Sequence, residues 1–159
     1  MRLLKQGGAG WKYVLNQNEG ILLRTLVKGF PLSAATAVEI ARTGADAKSA
    51  EREWLLNESL AQHRLDLKRQ ARKLLAARLK PGKAGWRLSL SRAEREILLQ
   101  LINDIRVESW HALGEPENLD ALPSPPSEAN LRQHQLMQLA GYFEWKLLSL
   151  EEGEQKPEG

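Results

Sequence analysis

Hydrophobic and polar residues alternate in two short stretches that begin with the same dipeptide, Gly-Trp. In Trp11–Leu15, and again in Trp86–Leu90, large apolar side chains occupy every second position. This alternation is typical of a β-strand with one buried face. A lone short strand leaves its backbone N–H and C=O groups unpaired, so we expect the two segments to pair as a two-stranded ribbon. We favour the antiparallel arrangement, and the pattern leaves the parallel one open.

Each predicted strand runs directly into a helix start. The segment Ser91–Glu94 forms an S-x-x-E capping box, in which the two side chains bond free backbone N–H groups of the first turn. Asn16–Glu19 has the same spacing in the first copy. The helices that follow are rich in leucine, and a one-residue insertion aligns Ile21–Leu23 with Ile97–Leu99.

The remaining pattern predicts helices separated by Gly and Pro. We expect a short helix over Ala34–Thr43, a long helix over 46–80 and a third over Arg92–Leu113. Ser127 is the expected cap of a last helix that reaches about Leu150. The long helix has an apolar stripe at helical spacing, formed by Leu56, Leu60, His63, Leu67, Ala71 and Leu74. A break near 57–59 stays open.

These elements predict a mainly α fold: a helical bundle of about five helices with a short two-stranded β ribbon near 11–15 and 86–90. The chain has 29 leucines against 9 isoleucines and valines, which favours helices over strands. We expect one domain over residues 1–150 and a disordered polar tail over 151–159.

The composition limits which reactions the chain could catalyse and indicates where in the cell it is located. The chain has no cysteine, which excludes disulfides, thiolate metal sites and cysteine nucleophiles. Its start lacks the apolar run of a secretory signal, and no stretch approaches 18 uncharged apolar residues. We therefore expect a soluble, cytoplasmic protein that does not span a membrane.

Charge is unevenly distributed along the chain. Residues 63–93 contain ten Lys and Arg with one acid, whereas residues 108–159 contain ten acids with three Lys and Arg. The candidate interaction residues are Arg64, Lys68, Arg69, Arg72, Lys73, Arg78 and Lys80. They could follow nucleic-acid phosphates, dock on the acidic C-terminal half or form a solvated face oriented by the helix macrodipole. We find no helix-turn-helix, zinc finger or aromatic–basic interleaving that would read bases.

No catalytic constellation is evident. The motifs of serine hydrolases and phosphate-binding loops are missing, and the glycine cluster Gly7–Gly10 precedes a strand instead of following one. Glu108 and His111 have E-x-x-H spacing, but neither His63 nor His134 has a glutamate three residues before it. We expect His63 to be a hydrogen-bonded core residue. We therefore expect a non-enzyme without metal or cofactor.

The segment L-x-L-I-N-D-I-R-V over Leu99–Val107 resembles a bacterial family known only as a domain of unknown function. Two further features support the resemblance: a strand and Leu-rich first helix over Tyr13–Val27, and a Y-x-x-[LW] pattern over Tyr142–Trp145. The family is often encoded beside the adaptor of the Clp protease. Its members carry more acid in the middle helices and a glycine soon after the motif arginine, and this chain departs from both features. The resemblance implies a fold and no catalytic residue.

Asn103, Asp104 and Arg106 of that segment lie in the middle of a predicted helix. Buried charges need partners, so we expect a structural clamp in which Asp104 pairs with an arginine of a neighbouring element. The alternative is that the three residues line a pocket. The leading functional hypothesis is a regulatory protein-interaction module, with an unidentified protein partner or a second copy. Nucleic-acid binding by the basic helix is the alternative.

Overall fold

The two Gly-Trp segments lie side by side at the centre of a four-stranded antiparallel sheet. The computed structural model describes residues 1–8, 10–30, 47–118 and 127–148. Its elements in chain order are β1 (Arg2–Gly7), β2 (Gly10–Leu15), α1 (Gln17–Gly29), α2 (Ala47–Arg78), β3 (Leu79–Gly82), β4 (Gly85–Leu90), α3 (Arg92–Ala112) and α4 (Glu128–Leu148). The strand order is β1-β2-β4-β3.

The central pair of strands is antiparallel, as predicted. Trp11 of β2 faces Leu90 of β4, and Leu15 faces Trp86. The two strands approach so closely that only glycine fits at each end of the pair. A Cβ on Gly10 would lie 2.2 Å from the Leu90 carbonyl oxygen, and a Cβ on Gly85 would lie 2.2 Å from the Leu15 carbonyl oxygen. Both glycines also have positive φ, +112° and +129°, which L side chains rarely adopt.

The predicted two-stranded ribbon is wrong, because each central strand is the second arm of a hairpin. β1 pairs with β2 and β3 pairs with β4, and the turns close at the matched pairs Gly7–Gly10 and Gly82–Gly85. The glycine cluster at Gly7–Gly10 is therefore a hairpin turn. The first hairpin includes a register shift between Leu3 and Lys5, so its outer strand has no regular alternation.

The internal repeat is a hairpin followed by a helix, with a constant offset of 75 residues. The predicted one-residue insertion is wrong, because the buried positions of the two helices match without it. Leu23 corresponds to Leu98 and Leu26 to Leu101, and all four side chains are buried. Ile21, which the predicted insertion aligned with Ile97, is 51% exposed.

The predicted capping boxes are confirmed at both helix starts. In α1 the Asn16 side chain accepts the Glu19 N–H at 2.9 Å, and Glu19 accepts the Asn16 N–H at 2.8 Å. In α3 Ser91 and Glu94 make the same exchange at 3.2 and 2.8 Å. Each box satisfies backbone donors that the first turn would otherwise leave free, so strand and helix join without a loop.

One face of the sheet packs against the helices and forms the core. Tyr13 and Leu15 of β2 and Leu88 and Leu90 of β4 are buried on that face. The core continues between the helices through residues including Leu23, Leu26, Leu67, Ala71, Leu101, Ile105, Phe143 and Leu147. α4 is tied to α1 by the Tyr142 hydroxyl, which donates to Glu19 at 2.5 Å.

The prediction of about five helices is also wrong for the described residues, which contain four. The predicted helix Ala34–Thr43, Leu150 and the tail 151–159 lie outside the described residues. The long helix α2 is continuous through 57–59 and ends at Arg78, where the chain turns into β3. No described helix is long and apolar enough to cross a membrane.

Only part of the apolar stripe of α2 is buried. Leu67, Ala71 and Leu74 are buried, but Leu56 is 57% exposed and Leu60 is 44% exposed. α2 has 32 residues, about 48 Å, whereas its neighbour α3 has 21 residues, about 32 Å. Within the described residues, the first half of α2 therefore extends beyond the packed helices.

The close approach at the sheet centre makes a direct prediction. We expect Gly85→Ala to lower the free energy of unfolding by about 2 kcal/mol or more, because the Cβ meets a carbonyl oxygen and the positive φ becomes strained. Gly141→Ala is the control, since its Cβ would meet no atom within 4 Å inside a helix. We expect that control to gain up to about 1 kcal/mol. Urea unfolding measures both, and equal effects would contradict the predicted central packing.

Candidate nucleic-acid interface

Four cationic side chains from two helices surround one groove. α1 supplies Arg24 and Lys28, and α2 supplies Arg72 and Lys73. The groove has a volume of about 410 Å³, and its lining also includes Val27, Leu75 and Ala76. The packing of the two helices explains why the four cations surround one groove. Val27 of α1 and Leu75 of α2 are buried, and the cations occupy neighbouring positions on the same two helices.

A second cavity continues this groove along α2. Its volume is about 470 Å³, and Leu65, Lys68 and Arg69 line it together with Arg72 and Lys73 of the first groove. The shared residues make the two cavities one surface, which we name the cationic track. The cationic track consists of Arg24, Lys28, Lys68, Arg69, Arg72 and Lys73.

Like charges lie close together in the cationic track. Three pairs of like charges are spaced four residues apart on their helices, namely Arg24–Lys28, Lys68–Arg72 and Arg69–Lys73. Each such pair costs a few tenths of a kcal/mol. The macrodipole offers little compensation, because it acts within the last turn of a helix, and these α2 cations precede Arg78 by five to ten residues. Asp66 is the acid nearest in the α2 sequence, and it accepts from Arg69 at 3.0 Å.

The other predicted cations of the basic helix bind the protein itself. Arg64 lies 3.1 Å from the buried Glu108 of α3, and Arg78 lies 2.7 Å from Glu94. Lys80 belongs to β3 and donates to the Ala76 carbonyl at 2.9 Å. The predicted run from Arg64 to Lys80 therefore divides into ends that bind other parts of the fold and a central portion, Lys68 to Lys73, in which Arg69 pairs with Asp66.

Sequence reasoning missed Arg24 and Lys28. Their spacing of four residues on α1 was visible in the sequence, but Lys28 precedes Arg64, the first residue of the basic run, by 36 positions. Arg24 is also held by stacking, with its guanidinium 5.3 Å from the ring centroid of Trp86. Trp86 in turn packs on Gly20, where a Cβ would lie 2.2 Å from the indole ring. The sheet therefore positions one end of the cationic track.

The clamp residues expected on α3, Asn103, Asp104 and Arg106, do not share one partner. Arg106 bridges to Glu144 of α4 at 2.5 Å. Asp104 lies in the field of Arg64 and His63 of α2, but burial outweighs their attraction and raises the pKa of its carboxyl. Asn103 and Arg106 also line a cavity of about 670 Å³ with Trp110 and Met137. Arg106 thus connects α3 to α4, while Arg64 directs its ion pair to Glu108 instead of Asp104.

The histidines do not assemble a site. His63 is exposed instead of buried in the core, and its Nε2 lies 3.2 Å from the Gln100 side chain. His111 contacts Glu115 at 2.6 Å, while Glu108 turns to Arg64. Among the described residues, no three His, Asp or Glu side chains are grouped so that they could hold a metal ion.

Comparison of the chain with protein-family models, with curated proteins and with solved structures finds no match. The cationic track is therefore the feature of the structure that bears on function. The resemblance to the domain-of-unknown-function family stays a prediction.

Substitution of Asp104 or of Glu108 shows which of the two carboxylates stabilises the packing of α2 on α3. We expect Glu108→Gln to lower the free energy of unfolding at pH 7 by about 2 kcal/mol or more, because it breaks a largely buried ion pair. Since burial raises the pKa of Asp104 in the folded state, its contribution to stability falls as pH rises through that pKa. We therefore expect Asp104→Asn to be neutral or stabilising at pH 7. Urea titrations at pH 4 and 7 measure both, and an equal loss in the two variants would contradict this assignment.

Proposed function

We propose that this protein binds nucleic acid through the cationic track, mainly by contacts to phosphates. The observation that carries the proposal is the convergence of six Lys and Arg side chains from two helices on one continuous groove. A cluster of like charges lowers the stability of a protein. Such a cluster is typical of a surface that binds an anionic ligand, because the ligand neutralises the charges.

The dimensions of the cationic track favour a chain of phosphates over a single small anion. Lys68 to Lys73 span about 8 Å along α2, and helix packing adds a further 8–10 Å across to α1. A single phosphate could contact two or three of these side chains, whereas a polymer could contact all six. Each contact would release counterions from the nucleic acid, so affinity would fall steeply with salt.

The apolar part of α2 favours a second candidate function, protein binding. No side chain between Lys48 and Asp66 is buried, and Leu55, Leu56 and Leu60 are 44–57% exposed. An apolar helix segment that extends beyond the fold can dock on another protein or on a second copy. This is the leading sequence hypothesis, and size-exclusion chromatography with light scattering tests its homo-oligomeric form. Regulatory, non-enzymatic action in the cytoplasm belongs to the same proposal.

Removal of two central cations tests the nucleic-acid function. We expect Arg72→Gln with Lys73→Gln to weaken oligonucleotide binding at least about fivefold at near-physiological salt, because two phosphate contacts are lost. The matched control is Arg92→Gln with Arg132→Gln, which removes two exposed cations outside the cationic track. Fluorescence anisotropy measures both. Equal affinity in the two double variants, or no binding by the wild type, would refute the proposed interface.

A further inference from the structure

An exposed tryptophan lies on the same face of α2 as the cationic track. Trp54 and Arg72 are eighteen residues apart, which is five full turns of a continuous helix, and Leu65 lies three turns after Trp54. The three side chains therefore share one face, with Trp54 about 27 Å from Arg72. This alignment depends on the absence of a break near 57–59.

Trp54 contributes little to the fold. It is 62% exposed, more than any other large apolar side chain among the described residues, and Leu65 on the same face is 47% exposed. From Lys48 onward, the first buried side chain of α2 is Leu67, thirteen residues after Trp54. The indole of Trp54 offers a flat aromatic surface on the same face of α2 as the cations, about 21 Å along the helix from Lys68.

We infer that the cationic track takes single-stranded nucleic acid, with a base stacked on Trp54 and the backbone along the cations. This inference rests on the proposed function and specifies its ligand. Base–aromatic stacking requires an unpaired base, because the faces of paired bases are already stacked in a duplex. Duplex would meet the same cations through phosphates alone.

Carboxylates on either side of Trp54 oppose phosphates at this part of α2, so a nucleic-acid contact there has to come from a base. Glu58 lies about one turn after Trp54 on the same side of α2, and Glu51 lies about one turn before it. Both carboxylates would repel a phosphate, whereas the face of a neutral base carries no net charge. Glu58→Gln should therefore strengthen binding by reducing repulsion of the neighbouring phosphates.

The deciding comparison uses two equally exposed tryptophans. Trp54→Ala removes the proposed stacking residue, and Trp145→Ala removes a tryptophan on α4 that is 59% exposed. Anisotropy is measured with a labelled single-stranded RNA of about twelve nucleotides, within the site sizes of single-strand binders, and with a duplex of the same sequence. We expect Trp54→Ala to lose about tenfold in affinity for the single strand and little for the duplex. Trp54→Phe should keep most of the affinity, and Trp145→Ala should match the wild type.

The outcomes separate this inference from the proposed function. If Trp54→Ala binds the single strand as the wild type does while the Arg72 and Lys73 double variant is weakened, the inference fails and the interface stands. If no oligonucleotide binds the wild type, both fail. Light scattering adds one more test, because a wild-type dimer that dissociates on Trp54→Ala would place Trp54 in an interface between two copies and overturn the stacking role.

Discussion

The close approach of β2 and β4 is the constraint on which the rest of the structure depends. Gly10 and Gly85 each face a backbone carbonyl of the opposite strand, and neither site has room for a side chain. This contact fixes the register of the central pair, and each central strand then leads through a capping box into a helix. Two hairpin-and-helix units thus meet about an approximate twofold axis, although they are separated by the long helix α2.

That arrangement also creates the proposed binding surface. β3 follows α2 without a break and pairs with β4, while β4 pairs with the strand that precedes α1. The end of α2 and the body of α1 are therefore held on the same side of the sheet. Cations that are far apart in sequence meet in one groove, and Trp54 lies on the same face of α2, in the half of that helix that has no buried side chain from Lys48 to Asp66.

Part of this architecture could be predicted because its causes are local. Alternation and capping spacing identified the central strands, their pairing and both helix starts. The hairpins were missed although Leu4–Lys12 and Leu79–Arg87 share the pattern L-K-x-G-x-A-G-W followed by a basic residue. Their outer strands lack regular alternation, and Pro81-Gly82, directly after the predicted helix over 46–80, indicates a helix end as readily as a hairpin turn.

The remaining differences arise from tertiary structure. Periodicity showed which side of α2 is apolar, but it could not show that the neighbouring helix is too short to cover Leu56 and Leu60. Pairing of Arg64 and Arg78 with α3, and the approach of Arg24 and Lys28 to the basic run, depend on contacts between distant segments. The sequence did not group Trp54 with the cations, because the two share a face only when α2 is continuous over the five turns from Trp54 to Arg72.

The salt dependence of oligonucleotide affinity is the decisive measurement of phosphate binding by the cationic track. If the cationic track neutralises about six phosphates of a single strand, the logarithm of the association constant should fall linearly against the logarithm of salt concentration, with a slope of about −4. A slope near zero, or no measurable binding at low salt, would contradict the account.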